Sequence, residues 1–411
     1  MSDVLVIVGI GADGWDGLSP RAHREVERAE ILIGARRQLD LVPESRTPRV
    51  SWPSPLTPAL PGLLEKHAGR RICVLASGDP MFHGIGVTLV DLLGADRVRV
   101  ITHPSSAALA CARMGWPTHT TPVVSLVNGP VETLLPALGE SARLLVLSRD
   151  EHTPAAVAGL LAHHGFGESH LSVLGELGGP NESRIDGTAS AWSLEPGERL
   201  NVIAIECRAD PGKLRLTRIP GLPDYVYSGD GQMTKQEIRA VTLCALAPAP
   251  GELLWDVGGG SGTVAIEWMR THPQCRAVAF ERDVDRVTQI EANSSALGVP
   301  SLTVLGDAPC AFDDVSPALS LPDAIFVGGG LTQDGLLEAC WNMLGPGGRL
   351  VANAVTVESE GILLQWFSKV GGKIRKFQVY RGAPLGGFTA WRPQLPVVQW
   401  SVTKQSKGCS A

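Results

Sequence analysis

The sequence predicts two α/β domains in tandem, each built on a mainly parallel sheet. Three observations predict this. Apolar runs alternate with helical stretches along most of the chain, a glycine-rich turn follows an early strand in each half, and a proline- and glycine-rich stretch separates the halves. Runs at 4–8, 71–76, 98–102, 143–147 and 201–206 read as strands in the first half, and runs at 252–257, 276–280, 302–305, 324–327 and 348–352 in the second. Between them, residues 208–231 carry Pro211, Gly212, Pro220, Gly221, Pro223, Gly229 and Gly231 with little helical periodicity. We place the boundary near Asp210, giving domains over 1–210 and 211–411, which suits a 411-residue chain at about 150 residues per domain. No convincing repeat relates the halves, so two different folds joined by fusion are expected. The tail from about Pro393 carries no assignable signal.

Composition narrows the function. With 36 Lys and Arg against 42 Asp and Glu, the formal charge is −6 and no basic stripe stands out, which argues against a nucleic-acid partner. Cys73, Cys111, Cys207, Cys244, Cys275, Cys310, Cys340 and Cys409 include no C-x-x-C pair, and His163-His164 has no partner at ligand spacing, so no metal and no disulfide framework are expected. The N-terminus has no basic region followed by an apolar core, and no run reaches the roughly 18 apolar residues of a membrane span. The expectation is a cytoplasmic protein with reduced, mostly buried thiols and no membrane partner.

The second half carries the sharper site. Leu253-Leu254-Trp255-Asp256-Val257 leads into Gly258-Gly259-Gly260-Ser261-Gly262 and then into a helical pattern from Thr263. Glycines let the backbone pass close beneath a nucleotide-like group, and the helix start offers free N–H groups to it. The next strand ends at Glu281, where a nucleotide fold places a carboxylate on the ribose hydroxyls. A third strand ends in Gly306-Asp307-Ala308-Pro309, a position for adenine contact, and a fourth in Val327-Gly328-Gly329-Gly330. Taken alone, Asp307 also suits a plain turn. Four strand ends thus gather on the edge where open α/β sheets bind ligands. Upstream, Thr234 reads as an N-cap with Glu237 completing a capping box, and Lys235 and Arg239 face either solvent or carboxylates of an anionic ligand.

This ordered set resembles the class I S-adenosylmethionine-dependent methyltransferases, with a Rossmann-like fold, and the phrase from Gly221 to Arg239 resembles the CbiT-type subunit of corrin synthesis. The resemblance implies that Asp256, Gly258, Gly259, Gly260, Ser261, Gly262, Glu281, Asp307, Ala308 and Gly328 surround the cofactor and that Thr234 approaches it.

In the first half, Gly9-Ile10-Gly11-Ala12-Asp13-Gly14 matches G-x-G-x-x-G after a strand, but the loop runs on through Trp15-Asp16-Gly17-Leu18. Ser19 and Pro20 supply the N-cap and first helical position only after it, and the next apolar stretch, 29–34, ends without the acidic residue a dinucleotide site needs. A dinucleotide site is therefore not expected. A second loop, Ser77-Gly78-Asp79-Pro80-Met81-Phe82-His83-Gly84-Ile85-Gly86, and a third, His103-Pro104-Ser105-Ser106, follow later strands. Gly78-Asp79-Pro80 fixes a turn by residue type alone, His83 reads as a turn or surface residue, and His103 stays unassigned. In order and spacing these loops resemble the tetrapyrrole methylases, and the second loop the CbiE branch of them. That resemblance implies two α/β subdomains with a cleft between them and a folded S-adenosylmethionine beside Gly78, Asp79, Ile85, Ser105 and Ser106.

A CbiE-like half followed by a CbiT-like half resembles the fused, decarboxylating methyltransferases of cobalamin biosynthesis. The resemblance implies one S-adenosylmethionine per domain and a corrin-precursor (tetrapyrrole) substrate. It also implies methylation at carbons 5 and 15 with loss of carbon dioxide from the ring C acetate. The C-terminal domain would serve carbon 15 and the decarboxylation. It implies a homo-oligomer as well. Thr234 and Asn353 are the candidates for handling the proton after decarboxylation. Two other readings stand beside it: a methyltransferase of RNA or protein, and a chain with one active and one silent domain.

Overall fold

The computed structural model describes residues 4–405 and divides into two compact units. The first comprises the described residues through Val131 together with Ala137–Lys213; the second comprises Glu132–Pro136 and the described residues from Leu214.

The first unit holds two sheets. One contains β1 (Leu5–Ile10), β2 (Ile31–Gly34), β3 (Arg49–Ser51), β4 (Ile72–Ser77) and β5 (Val98–Ile101), all parallel, in the order β3-β2-β4-β1-β5. Alternate residues of β1 serve opposite faces: Val6, Val8 and Ile10 pack with Leu18, Ala22 and Val26, while Leu5 and Ile7 pack with Leu60 and Leu89. The covering helices are α1 (Pro20–Arg28), α2 (Arg36–Asp40), α3 (Leu56–Lys66) and α4 (Ile85–Leu93). Ser19 caps α1 by accepting from the Ala22 N–H, with Pro20 first in the helix, as the sequence predicts.

The second sheet of this unit departs from the expectation of a mainly parallel arrangement. It contains β6 (Val123–Ser125), β7 (Arg143–Leu147), β8 (His170–Gly175), β9 (Ser183–Thr188) and β10 (Asn201–Glu206), in the order β6-β7-β10-β8-β9. Only β6 and β7 are parallel; the other three pairings are antiparallel. Strands β8 and β9 are joined by a short connection, 176–182, too short for a parallel crossover. Helix α5 (Ser106–Met114) packs Ala107, Ala110 and Cys111 against Leu145, Leu174 and Val202 of this sheet, and α6 (Thr153–His163) follows β7.

The second unit is built on one seven-stranded sheet. Strands β11 (Leu253–Val257), β12 (Arg276–Phe280), β13 (Thr303–Leu305), β14 (Ala324–Val327) and β15 (Arg349–Ala354) are parallel; β16 (Lys373–Phe377) and β19 (Val397–Thr403) complete the order β13-β12-β11-β14-β15-β19-β16. Strand β19 is antiparallel to both neighbours. The tail that carries no sequence signal is thus an interior strand, with Trp400 fully buried; its two-sided burial removes the alternation that would have announced it. Strands β17 (Tyr380–Leu385) and β18 (Phe388–Pro393) form a separate hairpin. Helices α7 (Gln236–Leu246), α8 (Thr263–Thr271), α9 (Val284–Ala296), α10 (Leu336–Met343) and α11 (Val357–Val370) cover the faces, and one face centres on Trp255, Phe280 and Phe312, whose rings lie about 5 Å apart.

Among the described residues no helix is long and apolar enough to cross a membrane and no cluster of His, Cys, Asp and Glu could hold a metal. Cys73, Cys111, Cys207, Cys275 and Cys340 are free and buried, Cys244 and Cys310 free and exposed; Cys409 lies outside the described residues.

Candidate active site

Strand order reverses between β11 and β14, the position where an open α/β sheet leaves a crevice at the carboxyl ends of its strands. A cavity of about 720 Å³ lies there, entirely within the second unit. Its wall includes Asp256, Gly258, Gly259, Gly260, Glu281, Asp307, Ala308 and Gly328, together with Thr234 and Asn353. Ser261 and Gly262 fall outside it: Ser261 is buried with its Oγ 3.4 Å from the Gln232 carbonyl, and a Cβ on Gly262 would meet Ile290.

The glycine turn is required by contact as well as by dihedral angle. Gly258 and Gly260 have φ of 76° and 57°. A Cβ on Gly258 would sit 2.7 Å from the Gly329 nitrogen, and one on Gly260 2.8 Å from the Gln232 carbonyl oxygen. Glu281 is buried, its Oε2 accepting from the Gly260 N–H at 2.8 Å and its Oε1 from the Asp283 N–H at 3.1 Å, so the acidic strand end and the glycine turn are held together.

Asp256 is the electrostatically strained member. Burial pushes its carboxyl up to about 7, one backbone N–H from Ala265 (3.0 Å to Oδ2) offsets part of that, and the nearby Glu281 charge adds to it. Its Oδ1 is buried without a hydrogen-bond partner although the residue lines the cavity. An orphaned carboxylate oxygen costs stability unless a ligand cation completes it. A buried carboxylate at a strand end, a second carboxylate with an unpaired oxygen and a glycine turn crowded against two other segments fit the ribose and ammonium groups of S-adenosylmethionine.

The segment before α7 corrects two expectations. Thr234 is not the N-cap: the helix begins at Gln236, Lys235 occupies the cap position without a side-chain cap bond, and the Gln236 N–H is taken by Asp224 Oδ1 at 2.8 Å. Glu237 pairs with Arg381 at 2.6 Å, so a carboxylate 12 residues upstream and an arginine from β17 replace the local capping box. Arg239 faces neither solvent nor the cavity. It is 0% exposed, with Nε 2.6 Å from Glu267 Oε1, an ion pair to Asp224 at 3.2 Å, bonds to the Leu222 and Thr234 carbonyls, and the Tyr227 ring 4.9 Å away. Lys235 lines the cavity with Nζ bonded to the Gly231 carbonyl. Glu267 also accepts from Gly221 N, Leu222 N and Tyr227 Oη at 2.6, 3.0 and 2.9 Å. These bonds fasten residues 221–234 over the glycine turn.

Asn353 lies within β15, one residue past the predicted strand end. Its Nδ2 donates to Thr242 Oγ1 at 2.9 Å and its Oδ1 accepts from Gln399 Nε2 at 3.1 Å. Val379, Gln394 and Leu395 complete the cavity from the region of the hairpin. Nothing local in the sequence ties them to the glycine turn, more than 100 residues earlier.

In the first unit, Gly78, Asp79, Ser105 and Ser106 do come together. The Gly78 N–H bonds the Ile10 carbonyl at 2.9 Å, and a Cβ on Gly78 would meet Pro104 O at 3.3 Å and Ser105 Cα at 3.5 Å. Ser105 caps α5 through the Ala108 N–H, Asp79 Oδ1 accepts from the Met81 N–H, and Ile85 opens α4. His83 is exposed in a left-handed turn. The G-x-G-x-x-G loop passes through a single 3₁₀ turn before α1 begins, so no helix opens within the glycines.

These two arrangements define a tetrapyrrole-type methyltransferase unit joined to a class I methyltransferase unit. Residues 4–192 match the tetrapyrrole (corrin/porphyrin) methylases and residues 225–404 the precorrin methyltransferase domain. The precorrin-6Y C(5,15)-methyltransferase (decarboxylating) of Mycobacterium tuberculosis is 52% identical over 98% of this chain and 100% of its own length, and that of a Sinorhizobium species 42% identical over 98% and 97%. The C-terminal domain of the Rhodobacter capsulatus precorrin-6Y C5,15-methyltransferase is 41% identical over 46% of this chain and all of that chain, with a TM-score of 0.43. The chain belongs to the decarboxylating precorrin-6Y C(5,15)-methyltransferase family. It is a methyltransferase of cobalamin biosynthesis that uses S-adenosylmethionine as methyl donor on a precorrin.

Proposed function

We propose that the second unit methylates carbon 15 of precorrin-6Y and decarboxylates its ring C acetate in the 720 Å³ cavity, and that the first unit methylates carbon 5 at the junction of the Gly11, Gly78 and Ser105 loops. The observation that carries this reading is the cavity wall itself, which joins the orphaned Asp256 carboxylate, Glu281 and the glycine turn to residues of the distant hairpin region. S-adenosylmethionine, when bound, supplies an electrophilic methyl group on sulfonium. Glu281 would hold the ribose, Asp256 the ammonium end, and the Asp307-Ala308 turn the adenine. The protein's contribution is to align the macrocycle carbon with the methyl group and to exclude water, since the electron-rich substrate is its own nucleophile. Loss of carbon dioxide leaves an electron pair that the conjugated macrocycle accepts, which places no demand for a lysine or metal on the chain. Thr234 and Asn353, on the cavity wall, are the candidates for handling the proton that follows.

This reading includes one S-adenosylmethionine per unit, domains meeting near residue 210, a homo-oligomer, and no nucleic-acid partner. Mass analysis of the pigment formed from precorrin-6Y tests it. The expected product gains two methyl groups and loses carbon dioxide; Glu281→Ala should yield a singly methylated, carboxylated pigment. Loss of only the carbon-5 methyl in that variant overturns the division of labour. A wild-type product with one methyl group returns the reading of a silent unit, and an unchanged pigment that of an RNA or protein substrate.

A further inference from the structure

His103 sits where the three loops of the first unit converge. Its backbone N–H and the Gly78 carbonyl crowd the position a Cβ on Gly9 would take, so the ends of β1, β4 and β5 meet at this side chain. Its Nε2 lies 3.3 Å from Asp13 Oδ1, and the two side chains are 11% and 32% exposed. Asp13 Oδ1 is buried at ion-pair distance from the ring but makes no aligned hydrogen bond. Neighbouring polar groups are committed elsewhere, Ser105 to capping α5 and Asp79 to the Met81 N–H. A Cβ on Gly179, from the loop after β8, would lie 2.8 Å from the Ala12 side chain, so the pair stands where the loops of the two sheets approach each other. A largely enclosed imidazole facing a carboxylate is the pattern of a positioned base, with the carboxylate fixing the ring.

Methylation of a methine carbon needs such a base. The electron pair of carbon 5 forms the new carbon–carbon bond, the sulfur–methyl bond breaks, and its pair remains on sulfur as a thioether. Carbon 5 then carries both hydrogen and methyl, and conjugation returns only when the C–H bond breaks and its pair re-forms the double bond. We propose that His103, oriented through Nε2 by Asp13, accepts that proton on Nδ1. The proposal rests on the reading that the first unit methylates carbon 5.

The full chain carrying H103A should lose about 10²- to 10⁴-fold in carbon-5 methylation rate, the contribution of a general base. Carbon-15 methylation and the two equivalents of S-adenosylmethionine seen by calorimetry should stay as in the wild type. Added imidazole should restore part of the carbon-5 rate. H103Q, whose amide can still reach Asp13, should remain as slow as H103A. Wild-type carbon-5 rates in either variant overturn the proposal. So does loss of one cofactor equivalent together with carbon-5 activity, or a defect that imidazole does not relieve, because His103 then only holds the loop. The underlying reading fails separately, through retained carbon-5 methylation in an otherwise unaltered chain carrying Gly78→Val.

Discussion

Arg239 and Glu267 meet 2.6 Å apart with exposures of 0% and 2%, joining the first turn of α7 to the middle of α8 beneath the segment that overlies the glycine turn. Neither charge has solvent to fall back on. Each is therefore held by several groups: Glu267 accepts four hydrogen bonds, and Arg239 also bonds Asp224 and two carbonyls.

Removing one partner leaves the other buried and uncompensated. Glu267→Ala should destabilise the second unit by about 3–5 kcal/mol, and Arg239→Ala by a similar amount, read as loss of denaturation midpoint. Replacing both with apolar residues should cost much less than the two single losses added together. Additive losses in a double-mutant cycle would show the pair is not coupled.

The same network holds the Tyr227 hydroxyl protonated. Burial, then the Glu267 charge, raises its pKa well above 10, so above about pH 10 the unfolded chain gives up a proton that the folded chain keeps. Stability from this tyrosine is present below pH 10 and declines as pH rises further. Tyr227→Phe should flatten that decline in alkaline unfolding curves, while losing about 1 kcal/mol at neutral pH from the missing hydrogen bond.

Asp256 predicts the pH dependence of cofactor binding. Its carboxyl ionises at about 7 in the ligand-free site, and a cationic ligand favours the ionised form. Affinity of the second unit for S-adenosylmethionine should fall as pH drops below about 7, by up to about tenfold per unit. Because the raised group binds a proton that the unfolded chain releases, stability of the ligand-free unit should decline as pH rises from about 4 to about 7. Asp256→Asn should remove both dependences, seen by calorimetry at pH 6 and pH 8.

Glu281 should matter for binding more than for folding. Glu281→Gln keeps the size and one acceptor for the Gly260 N–H but loses the charge, and about 10- to 100-fold in cofactor affinity is expected at the cost of charged hydrogen bonds. A variant that binds normally by calorimetry would move the ribose site elsewhere.

Truncation before Val397 should unfold the second unit. Strand β19 pairs with β15 on one side and β16 on the other and buries Trp400. Its removal strands two ladders of backbone groups and opens the core, so loss of the cooperative transition in circular dichroism is expected.

What could be read from the chain alone was local. The glycine turn at 258–260, Glu281 at a strand end and the Ser19-Pro20 helix start announce themselves because their physical requirement, a positive φ, a strand-end position or a cap, is met within a few residues. The Thr234 cap failed for the converse reason: the free N–H of Gln236 found Asp224, and Glu237 found Arg381, so distant charges displaced a local pattern. The antiparallel pairing of the second sheet and the place of β19 depend on which strands meet, which short apolar runs do not encode. The sequence by itself determined two fused α/β units, their family and, in the second unit, the glycine turn and strand ends that line the cavity. Only the tertiary structure decided that Arg239 is a buried tie, that Asp256 keeps an unpaired oxygen, and that His103 faces Asp13. Each of those is set by desolvation and by partners brought together across tens of residues or more.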